Sequence, residues 1–109
     1  MSIPEVQFLN YLHVLKRNIY IKPYRVDGYH VKTNTIYEFL GDYWHGNPEK
    51  FKRNNYNKIC HKTYGDLYNF TFNKFKKLKQ LGYKIRYIWE NDWNKFKNGI
   101  DKSPNIITY

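Results

Sequence analysis

The chain of 109 residues contains one cysteine, Cys60, and no long apolar run. A single cysteine excludes an internal disulfide and a zinc site built from several thiolates, and it is typical of a reducing compartment. A membrane-spanning helix needs roughly 20 apolar residues, which the sequence nowhere provides, and the apolar core of a signal peptide is also lacking. We therefore expect a soluble, intracellular protein with no membrane partner.

Acidic residues are also few. Nine Asp and Glu stand against nineteen Lys and Arg, which gives a formal net charge of +10 at pH 7. Such a charge favours a polyanionic partner, and DNA is the first candidate. Two other interpretations stay open: a basic surface that only maintains solubility, and a composition that reflects AT-rich coding DNA. Twelve Tyr, seven Phe and three Trp favour DNA, because aromatic rings among basic residues can stack on exposed bases.

A chain of this length is expected to form one domain, residues 1–109. Ser2 and Pro4 predict the start of an amphipathic helix, and Ser2 with Glu5 has the spacing of a capping box. The predicted elements in chain order are a helix over 2–16, antiparallel strands over 19–30 and 35–41, a long loop over 42–65, a helix over 65–81, a strand over 83–90, a short helix over 91–99 and a loose tail after residue 104. This order predicts an α/β fold with a mixed sheet of four or fewer strands flanked by helices.

The apolar residues predict which faces of these elements are buried. Trp89 and Trp93 are expected in the core. The second long helix is expected to bury the apolar residues that recur at helical spacing, namely Leu67, Phe70, Phe75, Leu78 and Leu81.

Two carboxylates fall in the predicted strand pair. Asp27 lies near the end of the first strand and Glu38 lies inside the second. Adjacent strands can bring both to one point, and Mg²⁺ prefers such an oxygen pair, completed by water and substrate phosphate. Mn²⁺ could replace Mg²⁺ at the same ligands. The alternative is that both are ordinary solvated acids at strand ends.

A histidine, His45, follows the second of these strands. Neutral imidazole can take a proton from water near neutral pH, so His45 is placed to activate a nucleophile beside a metal. A lone loop histidine with no role is the alternative. Tyr43 and Trp44 precede it, and these rings could belong to the core or stack on bases.

The motifs "EFLGDYWHGNP" and "LGYKIRYIWENDW", with Ser-x-Pro-Glu at the start of the first helix, resemble the very-short-patch-repair (Vsr-like) branch of the PD-(D/E)xK nuclease superfamily. That branch includes mismatch-nicking repair enzymes and homing endonucleases, with similar domains in large DNA viruses and mobile elements. The resemblance covers roughly residues 2–93, which leaves 94–109 as a C-terminal extension. It implies a restriction-endonuclease-like PD-(D/E)xK core.

The resemblance also implies roles for single residues. Asp27 matches the metal-binding Asp, Glu38 the second carboxylate, His45 the general base and Glu5 an acid that arranges the site. The cofactor implied is Mg²⁺.

The sequence departs from the family pattern in three ways. Leu40 stands where the superfamily has its lysine, so that role falls to His45 or stays unfilled. Thr71 stands where relatives place a later Asp. Many relatives bind structural zinc around the histidine motif, whereas this chain has Asp42, Asn47 and Cys60 there, which predicts no zinc.

The remaining acids have open interpretations. Asp42 is expected to cap or turn the loop, with ligation of a second cation as the alternative. Glu90 is expected to be a strand-end acid that pairs with a local lysine.

These patterns together predict a Mg²⁺-dependent DNA endonuclease of homing, mobile-element or viral type, acting in the host cytoplasm or nucleus if viral. A repair or recombination nuclease for mismatched or branched DNA is one alternative, and a non-catalytic nucleic-acid-binding module is the other. A homodimer is expected only if both strands are cut. The candidate DNA contacts are Tyr43, Trp44, Lys50, Lys52, Arg53, Lys74, Lys76 and Lys77.

Overall fold

A computed structural model describes residues 2–109. The helices are α1 (Ile3–Tyr11), α2 (Asp42–His45), α3 (Tyr64–Gln80) and α4 (Glu90–Lys97). The strands are β1 (Lys16–Ile21), β2 (Tyr24–His30), β3 (Thr35–Leu40), β4 (Tyr56–Asn57), β5 (Lys62–Thr63), β6 (Lys84–Trp89) and β7 (Ile107–Thr108).

The main sheet has five strands in the order β1-β2-β3-β6-β7. Strand β3 pairs in parallel with β6, and the other neighbours pair antiparallel. The expected α/β class with a mixed sheet and flanking helices is therefore confirmed. Strands β4 and β5 form a separate two-stranded ribbon.

Helices cover both faces of this sheet, because the strands bury apolar side chains on each side. One core cluster joins α3 to the sheet through Ile36, Leu40, Phe75 and Leu78. The other joins α1 and α4 to the opposite face, with Phe8, Leu9, Phe39, Ile88 and Trp93. Even-numbered residues of β3 therefore face α3.

Both tryptophans expected in the core are buried: Trp89 packs against α3, and Trp93 of α4 packs against Phe8 and Tyr11 of α1. Two residues depart from the expectation for this helix, because Phe70 in α3 and Leu81 directly after it are mostly exposed. None of the helices over residues 2–109 has the length and apolar character needed to cross a bilayer.

The segment 19–30 was expected to be one strand and is a hairpin. Strands β1 and β2 pair antiparallel from Lys16↔Tyr29 to Ile21↔Tyr24, with Lys22 and Pro23 at the turn. Proline has no N–H for the ladder and favours turns, which explains the break in an otherwise β-rich run. The hairpin adds one strand to the predicted elements and β7 adds another, so the five-stranded sheet exceeds the expected four or fewer strands.

The tail after residue 104 is also ordered, which corrects the expectation of a loose end. Strand β7 pairs with β6, the Tyr109 N–H donates to the Ile85 carbonyl at 3.0 Å, and the Tyr109 ring packs against Phe72 and Phe75. Helix α1 ends at Tyr11, earlier than predicted, and Leu15 beyond it is exposed.

Candidate active site

Asp27 and Glu38 lie side by side on neighbouring strands. The β2–β3 ladder runs from His30↔Thr35 to Gly28↔Tyr37. Beyond the last pair, the backbone N–H groups of the two strands donate to carboxylate side chains instead of to backbone carbonyls. The Asp27 N–H donates to Glu38 Oε2 at 2.8 Å, and the Phe39 N–H donates to Asp27 Oδ2 at 2.8 Å. These two bonds hold both carboxylates at one end of the strand pair, as the sequence predicts.

Negatively charged carboxylates lie close to this pair. The pKa of Asp27 is raised to about 9, first by burial and then by the nearby charges of Glu38 and Glu5. The hydrogen bond from the Phe39 N–H lowers the pKa and offsets part of this rise. Glu38 is 3% exposed. Two carboxylates in little water need positive charge nearby, because burying like charges together is costly.

Glu5 approaches this pair from α1. The Ser2 hydroxyl accepts from the Glu5 N–H at 3.2 Å, which confirms the predicted cap and starts the helix at this point. Burial raises the pKa of Glu5, and the Glu38 charge adds to the rise. Gly28 allows α1 to pack this closely, since a Cβ there would lie 2.8 Å from side-chain atoms of both Leu9 and Val14.

Lys74 supplies positive charge from α3. Its ammonium forms an ion pair with Glu38 Oε1 and donates to the Arg25 carbonyl at 2.7 Å. The sequence predicts Lys74 as a phosphate contact, and the structure directs its ammonium toward Glu38 and the Arg25 carbonyl. The reason is helical spacing: Thr71, Lys74 and Leu78 share the α3 face that covers β3, where Glu38 points.

His45 at the end of α2 faces α3 as well. The Thr71 hydroxyl donates to the Leu67 carbonyl at 3.1 Å, so it accepts from His45 Nδ1 at 2.8 Å. This places the proton of neutral His45 on Nδ1 and leaves the Nε2 lone pair as the basic site. Burial lowers the pKa of His45; the Glu38 charge partly offsets this and Lys74 adds to it. Thr71, whose role the sequence leaves open, therefore orients the candidate base.

The parallel pairing of β3 with β6 brings the starts of α2 and α4 together. The Asp42 N–H donates to Glu90 Oε1 at 3.1 Å, and the Asn91 N–H approaches Asp42 Oδ1 at 3.4 Å. Each acid caps the other's helix, a stabilising place for carboxylates. The capping interpretation of Asp42 is confirmed, and the expectation that Glu90 pairs with a local lysine is wrong.

Buried asparagines organise the segment that follows His45. The Asn57 amide donates to the Tyr43 carbonyl at 3.0 Å, and its Oδ1 accepts from the Ile59 and Cys60 N–H groups, both at 3.0 Å. Asn47 donates to Asp42 Oδ1 at 2.8 Å. The long loop is thus ordered by side-chain amides, a role that sequence reasoning missed although five Asn stand between 47 and 69.

Gly46 closes α2 directly after His45. Its φ is 68°, and a Cβ there would lie 2.1 Å from the Tyr64 carbonyl oxygen. The tight approach of the Tyr64 backbone anchors the end of α2, and with it His45, against the start of α3.

The proposed DNA contacts are scattered. Tyr43 is half-buried and packs against Phe51 and Tyr64, so it supports the loop, whereas Trp44 is 53% exposed. Arg53 is exposed, but its guanidinium donates to Asn69 Oδ1 at 3.3 Å. The exposed lysines are Lys50, Lys52, Lys76 and Lys77.

Two of these lysines, Lys76 and Lys77, lie on α3 and face different directions. Lys76, two residues after Lys74, points away from the carboxylates, because residues two apart do not share a helix face. Lys77 lies one turn beyond Lys74 on the nearer side. Only Lys77 of this pair remains a candidate for a phosphate next to the site.

The donor set suits a cation that keeps much of its water. Within residues 2–109, no group of three or more His, Cys, Asp or Glu side chains is arranged to hold a metal ion. The Asp27 and Glu38 carboxylates are hard oxygen donors, and two such ligands match Mg²⁺, which is reluctant to lose water. The surrounding negative charge gives a further reason for a cation to bind there.

Comparison with known proteins returns no family model, no curated protein and no solved structure that matches the chain. The functional assignment therefore depends on the geometry of the chain's own residues.

Proposed function

We propose that this protein is a metal-dependent DNA endonuclease with a PD-(D/E)xK core of the Vsr-like branch. The main support for this proposal is that Asp27 and Glu38 converge at one end of the β2–β3 pair, where Lys74 from α3 forms an ion pair with Glu38. This arrangement combines metal ligands and a cation in one buried place, as hydrolysis of a phosphodiester requires.

Asp27 and Glu38 would hold Mg²⁺ or Mn²⁺, which when bound neutralises charge on the phosphate under attack. His45 Nε2 accepts a proton from the attacking water, since its lowered pKa keeps it neutral at physiological pH. The water oxygen then bonds to phosphorus as the bond to the leaving oxygen breaks.

Lys74 takes the lysine role that Leu40 leaves empty. Its ammonium is fixed by two acceptors, the Glu38 carboxylate and the Arg25 carbonyl, and it carries charge next to the reacting phosphate. Glu5 maintains the acidic field that attracts the metal. The exposed basic residues hold the flanking DNA backbone.

The test is cleavage of supercoiled plasmid, branched DNA and single strands with Mg²⁺, with Mn²⁺ or with EDTA. Wild type is compared with Asp27→Asn and His45→Gln. We expect metal-dependent cutting by wild type and at least about a hundredfold loss in each variant, the usual contribution of a general base or a ligand.

Matched controls separate these effects from loss of charge alone. Asp66→Asn changes an exposed acid in the first turn of α3, and His61→Asn changes an exposed loop histidine whose φ of 56° Asn tolerates. Both should cut like wild type. Binding of all these DNAs without cleavage in either metal would select a non-catalytic binding module.

The choice between nuclease types follows from the same substrates. Cutting of one defined sequence that persists at high salt favours a homing or mobile-element enzyme, whereas cutting of unrelated sequences at branches or mismatches favours repair or recombination. A double-strand break made in one event requires two sites, so it predicts a homodimer.

A further inference from the structure

Arg25 on β2 is an exposed arginine that no carboxylate neutralises, because the only ion pair within residues 2–109 joins Lys74 to Glu38. Tyr20 faces Arg25 across the β1–β2 ladder, and the guanidinium carbon lies 5.6 Å from the centre of the Tyr20 ring. The Arg25 Nη1 also approaches the Asn18 carbonyl at 3.5 Å. A planar cation is therefore held at the surface with its charge unpaired.

We propose that Arg25 binds one DNA phosphate close to the phosphate that is cut, and that Tyr20 positions the guanidinium for this contact. The inference rests on the proposed endonuclease function and assigns part of the DNA-binding surface to the β1–β2 hairpin. The DNA contacts predicted from the sequence lie on α2, on α3 and in the segment between them, so this surface is additional to them.

The backbone of Arg25 lies beside the catalytic group. Its carbonyl accepts from Lys74 Nζ at 2.7 Å, and the same ammonium pairs with Glu38. Asp27 follows two residues later on β2, which is about 7 Å along an extended strand. Successive phosphates of one DNA strand are about 3.4 Å apart along the helix axis, so the phosphate bound by Arg25 lies within about two nucleotides of the cut.

The chemistry of the hairpin suits a phosphate. A guanidinium can bind a phosphate through two parallel N–H bonds, which a lysine cannot do. Because the Tyr20 ring restricts the guanidinium before DNA arrives, less side-chain freedom is lost on binding. Lys22, exposed at the hairpin turn, adds a second positive charge, and residues 15–26 contain no acid that would repel DNA.

The first experiment measures binding of a fluorescein-labelled duplex by anisotropy in EDTA, over a series of KCl concentrations. Arg25→Gln should bind at least about threefold more weakly and reduce the slope of log affinity against log salt by about 1, as for the loss of one phosphate contact. Lys32→Gln is the control for charge, since Lys32 is exposed in the turn at the other end of β2. It should bind like wild type.

Variants of Tyr20 test the positioning role. Tyr20→Phe keeps the ring under the guanidinium and should bind DNA like wild type. Tyr20→Ala removes the ring and should lose much of the affinity that Arg25→Gln loses. Because both changes act on one contact, the double variant should bind little more weakly than Arg25→Gln alone. Tyr20 is 57% exposed, so the fold should persist in each variant.

Neutral methylphosphonates locate the contact. They replace single phosphates around the cut that wild type makes. One position within about two nucleotides of the cut should weaken wild type and leave Arg25→Gln unchanged. The single-turnover rate of Arg25→Gln at saturating DNA should stay within about threefold of wild type, because the backbone carbonyl that holds Lys74 remains.

Two results overturn the proposal: equal affinity of Arg25→Gln and Lys32→Gln for the duplex, or methylphosphonate losses that are the same in wild type and Arg25→Gln at every position. The binding results stand apart from turnover. Weaker binding by Arg25→Gln without metal-dependent cutting by wild type refutes the endonuclease function and leaves the phosphate contact intact. Cutting by wild type with unchanged binding by Arg25→Gln refutes only the contact.

Discussion

Lys74 on α3 forms an ion pair with Glu38 on β3, although 36 positions separate the two residues in sequence. Both side chains are largely buried, and the Arg25 carbonyl accepts a further bond from the lysine. A lysine that is absent from the positions next to Glu38 in sequence thus lies beside it in space. This pair and its neighbours lead to five predictions.

Replacing Lys74 should affect both folding and cutting. Lys74→Met leaves the buried Glu38 carboxylate without a cation, with only the Asp27 N–H still donating to it, so metal-free stability should fall by about 3 kcal/mol, the usual cost of breaking a buried ion pair from one side. The Mg²⁺-dependent rate should fall at least about a hundredfold. Urea denaturation and single-turnover cleavage measure the two effects, below the melting temperature of the variant.

The control is Lys77→Met, which removes an exposed cation one turn away. It should keep stability and rate while lowering DNA affinity and reducing the salt slope of binding by about 1. Adding Glu38→Gln to Lys74→Met should restore part of the lost stability. A Lys74→Met protein as active as wild type contradicts the assigned role.

The metal-free protein should become less stable as pH rises. Burial raises the pKa of Asp27 in the folded state to about 9, above its value of about 4 in the unfolded chain, so its contribution is fully present below pH 4 and is lost towards pH 9. Asp27→Asn should therefore be at least about 1 kcal/mol more stable than wild type near pH 8 without metal. Thermal melts at pH 5 and pH 8 test this, with Asp66→Asn as the control. A variant that is less stable at both pH values contradicts the prediction.

Cleavage should persist into mildly acidic solution. Burial lowers the pKa of His45 below its ordinary value of 6.5, and the imidazole acts as a base only when neutral. The single-turnover rate at saturating Mg²⁺ and DNA should therefore hold down to the ordinary imidazole value of 6.5 and fall only below it. An acidic limb centred above pH 7 would show that another group titrates or that His45 is not the base.

Thr71 should act through His45. Thr71→Val keeps the volume but removes the hydroxyl that accepts from Nδ1, so kcat should drop roughly tenfold with little change in DNA affinity. Thr71→Ser should retain most of the rate because its hydroxyl remains. A Thr71→Val protein that loses affinity and rate in equal measure would indicate a general structural role.

Gly46 should tolerate no side chain. Gly46→Ala places a Cβ at 2.1 Å from the Tyr64 carbonyl oxygen, in addition to the strain of a positive φ. Gly99→Ala is the matched control, since its φ of 74° is similar and nothing lies within 4 Å. We expect about 1 kcal/mol of destabilisation for Gly99→Ala and clearly more for Gly46→Ala, by urea denaturation. Equal losses would show that the Tyr64 backbone moves freely.

Much of the fold can be predicted from local sequence patterns. Richness in Ile, Val and Tyr predicts β2 and β3, alternation predicts β6, and Ser2 with Glu5 predicts the start of α1, because β propensity, pleat and cap are short-range properties. The turn at Pro23 and the pairing of β7 were not predicted from the sequence. A proline inside a β-rich run and two residues of a tail carry little local signal. The Asp27–Glu38 proximity was predictable because only one short turn joins their strands.

A basic α/β domain, two acids on neighbouring strands and a histidine after the second of them follow from the amino-acid sequence. Which residues of α3 reach the site depends on how the chain packs: Lys74 meets Glu38, Thr71 meets His45, and Phe70 is exposed instead of lying in the core. The physical reason is that helix spacing specifies which residues share a face, whereas the packing of α3 on β3 specifies what that face meets. Phe70 is exposed because it lies one position before Thr71, which places its side chain about 100° around the helix from the buried stripe.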